Sequence, residues 1–392
     1  MKIVYCLNSI RGIGGIERVT LIKANALSEI EGNQIFVVVT DDNHGNYCDT
    51  ISKKVDFINL NINYYDNDWQ PGLSAKLSQI RKRGLHKKLL REVLNKIQPD
   101  IVIAVGQSEK FFCRKGLVKT SYPVYIRELH FATNYRESLA QNGKAKMIGR
   151  ILSFIDFGIL CRFYYDIVVC LTPEDLNKNW RGRKNVASMP NPLTISRPAN
   201  KENSFESNSS AKKIVAIGRL SYQKNFESLI RSFALISSSN PEWILEIYGE
   251  GDDRKNLESV ISSLNLYGIV KLMGATSDVA SVLSSASFFV LSSRLEGFPL
   301  VLLEAMVHKL PVISYNCDFG PSFIIENGIN GFLVPLNDEQ KLASKMQLLI
   351  DDPILLARMG ENAHKRAESF SPDIIADNWM DLFHNLIAKK KC

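Results

Sequence analysis

The chain has 392 residues, 45% of them apolar and 23% charged, an ordinary globular composition with length for about two domains. A disordered, collagenous or disulfide-scaffold chain is excluded. Charge is divided unevenly: residues 1–190 carry 28 Lys+Arg against 18 Asp+Glu, a net of +10, and residues 191–392 carry 20 against 23, a net of −3.

In chain order, Lys2–Leu7 reads as a buried strand, followed by the loop Arg11-Gly12-Ile13-Gly14-Gly15. A helix from Glu17 to about Glu29 and a strand over Gln34–Thr40 come next. The helix-forming stretch Leu85–Ile97 precedes short apolar runs at Asp100–Val105 and Val124–Leu129. Pro190-Asn191-Pro192 and residues 201–210 break the pattern with turn formers. It restarts at Ile214–Ile217 and continues through Trp243–Tyr248, Val270–Met273, Phe288–Leu291, Pro311–Ser314 and Gly331–Val334.

Short apolar strands alternating with helices predict an α/β chain whose parallel sheets are covered on both faces. Two such halves follow, 1–190 and 191–371, facing an interdomain cleft. The amphipathic segment 372–392 has no strand of its own and is expected to pack back on the N-terminal half. In open parallel sheets ligands bind outside the carboxyl ends of the strands, so function is sought in the loops there.

Seven scattered cysteines, without a C-x-x-C pair, support neither a metal cage nor a disulfide framework. They read as small hydrophobes in a reducing compartment. No apolar window reaches about 18 residues; the nearest, Ile151–Leu171, is broken by Asp156, Arg162 and Asp166. A cytoplasmic protein is expected.

Three strand-end loops carry candidate chemistry. Gly12, Gly14 and Gly15 could present helix-terminal amides to a phosphate, although a tight turn explains them equally well. Gly218-Arg219-Leu220 with Lys224-Asn225 puts two cations where a diphosphate could be clamped. Glu296-Gly297-Phe298-Pro299-Leu300 opens a helix at its proline. Glu304, eight residues on, lies among apolar neighbours, where a buried carboxylate needs a partner. An orientation toward water is the competing reading for Glu304.

Together with Tyr248-Gly249-Glu250-Gly251 and Asn191-Pro192-Leu193, these segments resemble the retaining GT-B glycosyltransferases of family 4, the group 1 glycosyltransferases. The resemblance implies two Rossmann-like domains, an acceptor-side one over 1–190 and a nucleotide-sugar donor domain over 191–371. It implies that Arg219 and Lys224 hold the donor diphosphate and that Glu304 accepts from ribose hydroxyls. Glu296 and the backbone of Gly297, Phe298, Pro299 and Leu300 would hold the donor sugar, and Gly14 and Gly15 the phosphate. His130 falls where such enzymes place an active-site histidine. Phe323 departs from the pattern, since relatives often carry Glu there.

The expected reaction is retaining transfer of a hexose or N-acetylhexosamine, most often from a UDP-sugar, to a glycan or lipid-linked glycan. No cofactor and no metal are called for, because no Asp-x-Asp pair stands at a strand-end loop. A nucleotide-sugar epimerase or hydrolase of the same fold is the first competing reading. A basic nucleic-acid-binding protein is the second, but residues 76–96 lack the interleaved aromatics of single-strand binders. That stretch carries eight Lys/Arg against Glu92, with Leu85, Leu89, Val93 and Ile97 at i, i+4 spacing. It reads as an amphipathic helix suited to an anionic membrane surface, or as a core helix with a solvated basic face.

Overall fold

The computed structural model describes residues 1–10, 14–41, 51–64, 73–106, 109–118, 122–138, 140, 142–195 and 211–391. The loop positions Arg11, Gly12 and Ile13 and the break at 201–210 lie outside these. The chain divides into two units. One comprises Met1–Leu171, Asp175–Pro192 and Pro372–Cys392; the other comprises Thr172–Glu174 and Leu193–Ser371.

The first unit is a seven-stranded parallel sheet: β1 (Lys2–Leu7), β2 (Gln34–Val39), β3 (Val55–Asn59), β4 (Ile101–Val105), β5 (Val124–Glu128), β6 (Ile167–Cys170) and β7 (Val186–Ser188), in the order β3-β2-β1-β4-β5-β6-β7. The second has six parallel strands: β8 (Lys213–Ile217), β9 (Ile244–Tyr248), β10 (Val270–Gly274), β11 (Phe288–Leu291), β12 (Val312–Tyr315) and β13 (Gly331–Val334). Their order is β10-β9-β8-β11-β12-β13. Central strands such as β4 and β11 are buried at every residue, because helices cover both faces. Strand order reverses between β1 and β4 and between β8 and β11. Those reversals are the switch points at which parallel sheets open a crevice.

Three strands carry weak sequence signals. β3 and β7 are half-exposed edges without a continuous apolar run. β6 lies inside the long apolar stretch Ile151–Leu171, whose length masks a strand of four residues.

Helix Leu73–Ile97 begins a dozen residues earlier than the apolar stripe suggests. Its buried face is His86, Leu90, Leu94 and Ile97, with Leu89 and Val93 packed beside them; Leu85 points outward. The stripe is therefore spent on the core of the first unit, and the basic side chains form its solvated face.

The last helix, Pro372–Lys391, belongs to the first unit. Ile375, Trp379 and Phe383 join the core beneath β1, β2 and β4. The indole of Trp379 lies 5.0 Å from Lys23 Nζ on helix Gly15–Glu29.

Candidate functional site

In the second unit, the loops after β8 and β11 flank the switch point. Lys224 comes from the first loop and Glu296 from the second, and Nζ donates to Oε1 at 2.6 Å, with both side chains largely buried. The loops are stapled together by uncharged bonds. Ser292 Oγ donates to the Lys224 carbonyl at 2.8 Å, Gln223 Nε2 to the Leu295 carbonyl at 2.9 Å, and the Arg294 N–H to the Gln223 carbonyl at 2.8 Å. Asn225 turns the chain into helix Phe226–Ser237 at φ +54°, a left-handed conformation that Asn tolerates.

Two glycines make room here. A Cβ on Gly218 would press on the Lys224 stem at 3.1–3.3 Å, and one on Gly249 would lie 1.8 Å from the Gly218 carbonyl oxygen. Arg219 is exposed and has no ion-pair partner among the described residues. One free cation, one paired cation and a carboxylate thus converge on one sheet end. Burial, reinforced by the Glu296 charge, pushes the nearby Cys317 thiol up to about 12.

Helix Leu300–Val307 starts one residue beyond Pro299, which caps it. Gly320, at φ +95°, lies so close to Pro299 that a Cβ would approach its ring at 2.5 Å. Glu304 faces inward, 4% exposed, and accepts from Thr194 Oγ1 at 2.5 Å. Phe323 packs in an aromatic trio with Phe298 and Phe370, and Arg366 Nη2 donates to its carbonyl at 2.6 Å. Thr194 escapes sequence reasoning because a lone threonine after Pro192 carries no pattern. Ser293 is missed similarly: its hydroxyl is buried with no hydrogen-bond partner among the described residues.

In the first unit, Gly14 caps helix Gly15–Glu29 and both glycines are exposed. A Cβ on Gly14 would lie 2.3 Å from Glu17 Oε2, and burial raises the Glu17 carboxyl above the usual range. His130 follows β5, with its imidazole only 2% exposed and Nε2 3.5 Å from Glu128 Oε1. Burial lowers His130 to about 4, outweighing the Glu128 charge, so the ring is neutral at pH 7. Glu128 also accepts from Lys23. Burial raises the Glu128 carboxyl, but Lys23 and His130 outweigh it and leave the pKa below the usual range. His130 and Glu128 line a small pocket with Gly106, Tyr135 and Phe157.

A larger recess opens at Asn8 beyond β1 and Glu109 beyond β4, with Tyr64, Arg83, His86, Phe111 and Phe112 around it. His86 stacks on Phe112 at 4.0 Å and reaches Glu109 at 3.5 Å; Thr40 Oγ1 donates to Glu109 at 3.0 Å. Its residues come from four separate segments, which explains why no linear motif announced it. Among the described residues, no three His, Cys, Asp or Glu side chains are grouped to hold a metal ion.

Two parallel-sheet units of this kind, with cations and carboxylates at a switch point, define the GT-B architecture. Residues 199–366 match the family of glycosyl transferases group 1. It is 27% identical to an uncharacterized glycosyltransferase of Haemophilus influenzae over 381 residues, 96% of this chain and 98% of the relative. It is 26% identical over 294 residues (75% and 77% of the two chains) to a Campylobacter jejuni enzyme. That relative is the GalNAc-alpha-(1->4)-GalNAc-alpha-(1->3)-diNAcBac-PP-undecaprenol alpha-1,4-N-acetyl-D-galactosaminyltransferase. Among solved structures, S. aureus TarM in complex with fondaparinux, alpha-GlcNAc-glycerol and UDP superposes with a TM-score of 0.73. It shares 17% identity, covering 97% of this chain and 99% of TarM.

Proposed function

We propose that the protein transfers a hexose or N-acetylhexosamine from a UDP-sugar to a hydroxyl of a glycan or lipid-linked glycan, with retention and without a metal ion. The setting we assign is bacterial surface-polysaccharide assembly on the inner, cytoplasmic face of the membrane. The observation that carries this reading is the meeting of Lys224 and Glu296 at the β8/β11 switch point, beside exposed Arg219. The Campylobacter relative, named for an α-linked transfer to an undecaprenyl-diphosphate glycan, supports the acceptor class. The UDP named in the TarM complex supports the donor.

In this mechanism the bond between sugar C1 and the diphosphate oxygen breaks while the acceptor oxygen bonds C1 on the same face. The acceptor proton passes to the departing diphosphate. Negative charge develops on that diphosphate, and Arg219 and Lys224 stabilise it electrostatically. Glu296 and the Gly297–Leu300 backbone hold the sugar hydroxyls, and Glu304 holds the ribose. The aromatic-walled recess at Phe111, with Arg83 and His86, receives the acceptor glycan. Neither glutamate is a covalent nucleophile, which distinguishes this chemistry from a glycosidase's carboxylate pair.

The test is a screen of UDP-, GDP- and ADP-sugars against a lipid-diphosphate sugar acceptor in excess chelator. Product is read by mass spectrometry and its anomer by NMR. An α-linked product from a UDP-sugar is expected. Donor turnover without acceptor would convert the reading to a hydrolase or epimerase. Activity rescued only by Mg²⁺ or Mn²⁺ would reject the metal-free step.

A further inference from the structure

One helix of the first unit is built inside out. It runs from Gly143 to Ser153, continues as a π-helical stretch over Phe154–Leu160, and ends at Cys161–Tyr164. Helices normally turn an apolar stripe to the core and polar residues to water. Here Phe157 and Cys161 join an apolar cluster with Leu129, Val168 and Trp180, and the rest of the attachment is largely polar. Asp156 is buried and accepts from Arg127 Nη1 at 2.5 Å and Arg136 Nη2 at 3.0 Å. Arg183 Nη1 donates to the Phe157 carbonyl at 2.6 Å. Gly149 lies against the Arg136 backbone, where a Cβ would meet its carbonyl oxygen at 3.0 Å.

The outward face is apolar. Met147, Ile151 and Phe154 form one row at i, i+4, i+7, and Ile148, Leu152 and Ile155 the next, continued by Ile159 and Phe163. All are exposed, Phe154 and Phe163 each at 67%. A contiguous patch of this kind marks an interaction surface, whereas single exposed leucines need no explanation.

Charge selects the partner. Lys144, Lys146, Arg150 and Arg162 are exposed along the helix, and its one acidic residue, Asp156, is buried and paired. Arg150 reaches Glu137 outside the helix. At the far end, Arg162, Arg183 and Lys184 line a recess beside Gly158. Two copies of this face would oppose like charges. A bilayer with anionic headgroups matches both the apolar rows and the cations around them.

We propose that this helix lies in the plane of an anionic bilayer. Its apolar rows enter the acyl boundary, and Arg162, Arg183 and Lys184 receive headgroup phosphates. The inference deepens the membrane-face reading above and rests on it only for the side of the bilayer; it moves the docking element away from helix Leu73–Ile97, whose stripe is spent on the core.

The test is co-sedimentation of the full chain with phosphatidylcholine vesicles, with and without phosphatidylglycerol. Wild type is expected to bind the mixed vesicles. Ile151→Ser/Phe154→Ser/Ile155→Ser should lower the bound fraction by about tenfold or more, with UDP affinity unchanged. Arg162→Ser/Lys184→Ser should lose the preference for phosphatidylglycerol. Phe154→Trp should gain quenching by brominated acyl chains over wild type, reporting insertion directly. Equal sedimentation of the triple variant and wild type overturns the proposal, and loss instead in Lys87→Ser/Lys88→Ser/Arg91→Ser leaves only the coarser membrane reading standing. No binding by wild type defeats both. A dimer in solution that the triple variant breaks would assign the face to a second copy.

Discussion

Lys224 and Glu296 touch each other, so their assigned roles at diphosphate and sugar are coupled. Lys224→Ala is expected to lower kcat/KM by about 10²-fold or more. The double variant with Glu296→Ala should be much less than additive, because the single change already leaves Glu296 unpaired. Glu304→Ala should chiefly weaken UDP binding in calorimetry, whereas Glu296→Ala should spare UDP affinity and impair transfer; the reverse pattern would exchange their roles. His130 gives a pH signature. Its folded pKa, about 4, lies below the ordinary 6.5, so the unfolded chain binds the extra proton between these values. Stability from this group is complete above pH 6.5 and is lost as pH falls toward 4, by up to about 3 kcal/mol. Denaturant titrations across that range should show a shallower loss in His130→Gln than in wild type. Residues in a linear pattern, such as Arg219, Lys224, Glu296 and Glu304, were legible from sequence. Thr194, Ser293 and the recess around His86 were not, because folding alone brings them to their partners.

Elements with buried, continuous apolar runs were legible almost to the residue: Phe288–Leu291 and Gly331–Val334 are strands over just those spans. Edge strands were not, since half-exposed residues need no apolar pattern. The glycines show which turns are obligatory. Gly249→Ala would drive a methyl into the Gly218 carbonyl, displacing the β8 loop that carries Arg219 and Lys224. It is expected to destabilise the second unit by about 1–3 kcal/mol and to weaken UDP binding, read by calorimetry. Gly84 is the contrast: it sits within helix Leu73–Ile97 with nothing near its missing Cβ. Gly84→Ala should raise stability by up to about 1 kcal/mol in the same denaturation assay, without effect on UDP binding.

At the scale of the whole molecule, the first unit is discontinuous and the second almost continuous. Deleting residues 372–391 would strip Ile375, Trp379 and Phe383 from the core of the first unit and uncover Lys23. The shortened chain is expected to lose the unfolding transition of the first unit while the second, Leu193–Ser371, keeps its own; a single unaltered transition in calorimetry would contradict this. The same helix has a consequence during translation. A ribosome delivers β1 before the second unit, yet the partner that closes the core over β1 emerges only after that unit. The sheet made earliest must therefore wait, partly uncovered, for the whole second unit to be synthesised. The second unit needs little that is still to come and can complete its core first. Order of manufacture and order of completion run in opposite directions, and the interval between them is when this chain most needs a chaperone.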